Sequence, residues 1–161
     1  MLFRSDPYLG WPGAGPRTVI APLTLLYDYS FRPPEVTRDR VVAWAAEAGI
    51  VASDERRLSA APYDGITQWC HDRVEATARR LMEIPADAAT VLVNHYPLRA
   101  EDVVLPRKPR FAPWCGTTAT ADWHRRFRAR AVVYGHLHVR ASRFVDGVHF
   151  QEVSLDRKSV V

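Results

Sequence analysis

The chain has 161 residues, of which 47% are apolar, with five Trp, six Tyr and six Phe. Its formal charge is only +4, so neither a disordered acidic or basic tail nor a strongly basic nucleic-acid-binding domain is indicated. No apolar run reaches the ~18–20 residues of a membrane span, and the first residues lack the apolar core of a secretion signal, which makes cytoplasm the expected setting.

The opening, rich in Gly and Pro through Pro16, reads as irregular chain, and residues 17–26 (RTVIAPLTLL) read as a buried strand. Thr37 is placed to cap a helix through RDRVVAWAAEA, which Gly49 stops. A second helix is expected from Ile66 to Met82, where Ile66, Trp69, Cys70, Val74, Ala78 and Leu81 recur at helical spacing and Pro85 lies beyond the end. Ala89 to Val93 is short and rich in β-branched residues, the pattern of a strand buried on both faces. The loop that follows holds four prolines and shows no period, a composition more often tied to function than to packing. TADWHRRFRAR then predicts a helix, Ala131 to Tyr134 a second buried strand, and Asp146-Gly147 the turn of a β-hairpin. Elements alternating in this way indicate an α/β fold in a single domain over residues 1–161. Cys70 and Cys115 stand far apart without a CxxC pair, so they signal neither a thiolate zinc cage nor a disulfide framework.

Both interior strands run into histidine. His95 follows Asn94 at the end of the first, and Gly135-His136-Leu137-His138 closes the second. In α/β sheets ligands collect where parallel strands end, and neutral imidazole is a common ligand for Zn, Mn and Fe. Strand alternation would put His136 and His138 on one face.

Strand-Asn-His-x-Pro, a long loop, then strand-Gly-His-x-His resembles the last two motifs of the calcineurin-like metallophosphoesterases, and the likeness runs over residues 17–155. The resemblance implies the C-terminal portion of a four-layer α-β-β-α sandwich. It also implies a hydrolase in which two Mn, Fe or Zn ions clamp a phosphate ester and a bridging hydroxide attacks phosphorus. His95 and His136 would ligate one ion and His138 the other. The family's earlier motifs, D-x-H, G-D-x-x-D and G-N-H-D or G-N-H-E, are missing from the stretch before Asn94. With them go the bridging carboxylate and the histidine that assists the leaving group, so no catalytic acid is assigned. Three imidazoles without a carboxylate cannot hold two divalent ions side by side against their repulsion, so at most one ion is expected in this chain. The chain then reads as a truncated, inactive part of such an enzyme, completed by an N-terminal half and leaving an exposed sheet edge prone to aggregation. The rival reading is a degenerate binding or scaffolding module.

Arg99, Arg107, Lys108 and Arg110 on the long loop are candidates to orient phosphate, since guanidinium forks match its oxygens. His124 is placed either beside the site or on a helix surface, and Tyr96 and Trp114 either stack on a leaving group or anchor the loop. His71 and His149 are read as structural. The expected partner is a phosphate-ester substrate, not nucleic acid or membrane.

Overall fold

The computed structural model describes residues 8–13 and 15–154, and part of the expected irregular opening, residues 1–7, lies outside them. Six strands form one mixed sheet in the order β1-β2-β3-β4-β6-β5. They span Leu9–Trp11 (β1), Thr18–Pro22 (β2), Ala89–Val93 (β3), Ala129–Tyr134 (β4), Ser142–Val145 (β5) and Val148–Glu152 (β6). The four interior strands, β2, β3, β4 and β6, run parallel, and β1 and β5 close the two edges antiparallel. The helices are α1 (Val41–Ala46), α2 (Asp54–Arg57), α3 (Ile66–Met82) and α4 (Trp123–Arg126).

Several expectations from local pattern are met. The second helix and β3 occupy the expected spans. Asp146 and Gly147 both take positive φ, 52° and 77°, as a tight two-residue hairpin turn requires. Gly49, at φ 69°, ends the first helix, its N–H and that of Ile50 returning to Ala46 and Ala45.

Other expectations are corrected. Residues 9–11 are not irregular: they pair Leu9 with Ile20 and Trp11 with Thr18, giving the sheet a three-residue edge strand. The strand expected over 17–26 stops at Pro22, with one further bond to β3 from the Leu23 N–H to Val93 O at 2.7 Å. The helix expected from TADWHRRFRAR shrinks to α4 because Arg128 turns left-handed at φ 53°, and β4 starts at Ala129.

The two faces of the sheet differ. Alternate residues Val19, Ala21, Thr90, Leu92, Val132, Tyr134, Val148 and Phe150 are buried. All of these except Thr90 join one apolar cluster with Leu81 of α3, Trp123 of α4 and Phe127. The intervening residues Ile20, Val91, Val93, Ala131 and Val133 keep partial exposure and stay out of that cluster. Topology explains this. Parallel crossovers are right-handed almost without exception, and the interior strands advance in one direction across the sheet, so α3 and α4 must fall on the same side. β3 was expected to be buried on both faces and is buried on one.

A second cluster sits over the C-terminal ends of the strands, where Tyr27, Tyr29, Val41, Ala45 and Trp114 pack together. Glu55 ties α2 to it, accepting from Tyr29 Oη at 2.8 Å and from Trp114 Nε1 at 2.7 Å.

Candidate active site

Backbone pairing delivers the histidines. β3 and β4 stay joined past their formal ends: the Asn94 N–H donates to Val133 O at 2.9 Å and the Gly135 N–H to His95 O at 3.0 Å. The buried Asn94 side chain donates to Tyr96 O at 2.8 Å and accepts from the Leu25 N–H at 3.4 Å, which holds the turn under His95. His95 Nε2 and His136 Nδ1 consequently face each other at 3.1 Å.

His136 is packed on both sides. Its ring meets Tyr96 edge-on with centroids 4.6 Å apart and stacks near Phe111 at 5.6 Å. Burial, reinforced by the neighbouring His95 and His138, lowers its pKa from an ordinary 6.5 to about 4. Burial also lowers the pKa of His95, and the Asp54 carboxylate acts against that shift. Both rings are therefore neutral near pH 7 with a lone pair to offer, which is the state a metal requires.

His136 and His138 both sit at positive φ, 73° and 54°. The strand alternation expected for them does not apply, because β4 ends at Tyr134 and the Gly-His-Leu-His stretch is a strained turn. Left-handed backbone at a non-glycine residue costs of order 1–2 kcal/mol, and such strain gathers at functional sites. His138 is exposed, and its replacement by glycine removes the left-handed strain. Denaturant titration of His138→Gly is expected to show a gain of up to about 1 kcal/mol in stability; a loss would mean the turn is not strained there.

The metal fit is partial. Two neutral imidazole nitrogens at 3.1 Å are spaced as neighbouring ligands of one ion with bonds of ~2.0–2.1 Å. Buried Nε2 of His136 lacks an aligned hydrogen-bond partner, although the Trp114 carbonyl lies toward it. Among the described residues, no group of three or more His, Cys, Asp or Glu converges as a metal site. That excludes the three imidazoles gathering round one ion as they stand. His95 and His136 fit as a ligand pair.

Asp54, which nothing in the local pattern marked out, shares a cleft with His136 and His138. This cleft of about 780 Å³ lies between residues 49–54 and the 105–111 loop, and Arg107 and Lys108 line it too. The other candidate phosphate ligands are engaged in other contacts. Arg110 donates to Trp44 O, pairs with Glu47 at 2.9 Å and covers the Trp44 ring. Arg99 pairs with Glu101 at 3.5 Å and lies over Phe150. His124 is neither on the surface nor at the site: it is buried, bonded to Asp146 at 2.9 Å and set edge-on to Phe150. Asp122-Trp123-His124 is a D-x-H string by spelling alone, since it lies on α4 behind the sheet. Tyr96 and Trp114 are buried in loop packing, so neither presents a face to a leaving group. His71 and His149 bond to Asp28 and Ser142, as structural residues would.

Beneath the long loop lies a buried polar cluster. Asp102 sits 3.1 Å from Arg143 Nη2, yet its oxygens have no aligned hydrogen-bond partner, and burial raises its pKa against the pull of Arg143 and Arg99. This cluster ties the loop to β5.

The chain is 46% identical over 150 residues to the acyl-carrier-protein phosphodiesterase PptH of Mycobacterium tuberculosis (strain ATCC 25618 / H37Rv), an alignment covering 92% of this chain and 46% of that protein. It therefore spans about half the length of the curated relative it matches. The crystal structure of phosphopantetheinyl hydrolase PptH from M. tuberculosis superposes with a TM-score of 0.87 at 45% identity, covering 94% of this chain and 54% of that one. No family model matches the chain.

Proposed function

We propose that this chain forms the histidine-bearing half of a metal-dependent phosphodiesterase that releases a phosphopantetheinyl group from a carrier protein. The observation that carries this reading is the facing pair His95 Nε2 and His136 Nδ1, set at the C-terminal ends of adjacent parallel strands. The chain bearing it is 46% identical to an acyl-carrier-protein phosphodiesterase. His95 and His136 would hold one ion, and His138 would ligate a second. Two Mn, Fe or Zn ions, when bound, neutralise phosphoryl oxygens and lower the pKa of the attacking water.

The chain's own contribution is to present neutral imidazoles, held rigid by Tyr96 and Phe111, at a cleft with a basic rim. Carboxylates that offset the charge of two ions would come from polypeptide outside these 161 residues. The open sheet face supports this. Parallel sheets are ordinarily covered on both sides, and a second sheet laid over Ile20, Val91 and Val133 would complete the calcineurin-like sandwich. Leu9 and Trp11, 69% and 58% exposed, extend the apolar area to the β1 edge, where aggregation of the isolated chain is expected. No helix among the described residues is long and apolar enough to cross a membrane, and the free, buried Cys70 and Cys115 accord with a reducing cytoplasm.

The test is a chimera in which this chain replaces the matching segment of the M. tuberculosis protein. With Mn or Zn added, the chimera is expected to release phosphopantetheine from a phosphopantetheinylated carrier, its His95→Ala variant to fall by at least about a hundredfold, and the 161-residue chain alone to turn over nothing. A folded but inactive chimera would favour the degenerate-module reading.

A further inference from the structure

The cleft beside the histidines offers more than a phosphate needs. Its lining is largely apolar, with Ile50, Val51, Leu105 and Phe111 among it, and His136 and His138 line it too. Val51 is 64% exposed and Val139, also lining the cleft, 38%. Water contact at these side chains is unfavourable, and a volume of about 780 Å³ falls in the range of clefts that hold extended small molecules.

Two cations share this lining. Arg107 and Lys108 stand exposed between Pro106 and Pro109. Arg99 and Arg110 are committed to Glu101 and Glu47, whereas neither Arg107 nor Lys108 has an ion-pair partner among the described residues. Flanking prolines restrict the backbone of the turn, so less backbone entropy is lost when the two cations meet a partner.

We infer that the cleft is the subsite for the organic arm of the substrate: an extended chain of aliphatic and amide groups lies along Ile50, Val51, Leu105 and Val139, and Arg107 and Lys108 receive the acidic surface of the protein that bears it. The assignment rests on the phosphodiesterase reading for its choice of arm, but the arm needs neither metal nor phosphate to bind.

The test therefore uses pantetheine, which has no phosphate, and the metal-free 161-residue chain, followed by amide chemical shifts. Shifts are expected at residues 50, 51, 105 and 139. Val51→Glu, with Val139→Glu as a second variant at another exposed position, is expected to weaken pantetheine binding at least about tenfold by placing a carboxylate in the apolar wall. The double variant R107E/K108E should lose at least about tenfold for a phosphopantetheinylated acidic carrier at low salt. Pantetheine shifts confined to other residues, or unchanged affinity in both glutamate variants, would overturn the arm subsite. Unchanged carrier binding by R107E/K108E would overturn the role of the rim. An inactive chimera together with pantetheine bound in the cleft would sink the hydrolase reading and leave this one standing.

Discussion

Leu92→Ala is expected to lower the unfolding free energy by roughly 2–5 kcal/mol, because the Leu92 side chain of β3 is wholly buried and its removal leaves a cavity among packed neighbours. The adjacent face should behave otherwise. Val132 and Val133 are consecutive on β4, the first fully buried against the helices and the second on the open face. The same change to threonine should therefore cost about 1–3 kcal/mol at Val132, where the hydroxyl is buried without a partner, and well under about 1 kcal/mol at Val133. Urea titration of the two variants reads the difference. Equal losses would show that both faces are covered, and the place proposed for a second sheet would be gone.

The second large effect is a loss of stability in acid. The folded His136 ring resists protonation, with a pKa of about 4 against 6.5 in the unfolded chain. Between those values the unfolded state binds more protons than the folded one. Stability is then complete above pH 6.5, declines as pH falls through the window and levels off below 4. The difference of about 2.5 units corresponds to roughly 3 kcal/mol. His95, lowered in the same direction, adds to it. Unfolding measured from pH 7 to 4 should show the His136→Gln variant losing roughly 3 kcal/mol less than the parent chain. Parallel curves would mean that the ring is solvated and not held neutral by its surroundings.

What the sequence revealed and what it hid follow from how local each signal is. α3 and β3 carry their own periodicity and punctuation, and Asp146-Gly147 encodes a turn in two residues, so all three could be read directly. The histidines were legible for the same reason, since each follows a short apolar strand. The short edge strand at Leu9–Trp11 was not, because it exists only through pairing with β2 and has no apolar pattern of its own. His124 looked like a surface residue of an amphipathic helix, yet Arg128 turns the chain early and the hairpin supplies Asp146 from 22 residues away. Asp54 was invisible because α2 is four residues long and its place is fixed by Glu55 holding Tyr29 and Trp114. The arginines on the long loop looked alike in sequence, and only tertiary contacts separate Arg99 and Arg110, which anchor it, from Arg107 and Lys108, which face the cleft.

Even the strain at His136 and His138 has this character. An apolar run ending in Gly-His-Leu-His suggests a strand carried onward, whereas the backbone leaves the sheet at Tyr134 and pays for two left-handed residues. The result is that His136 turns toward His95, their ring nitrogens 3.1 Å apart.

Zinc titration of the chain, with ligation followed by X-ray absorption, tests the central claim most directly. One ion held by two imidazoles is predicted, lost in His95→Ala and in His136→Ala and kept in His138→Ala. Equal loss in all three variants, or binding unaffected by any of them, would contradict it.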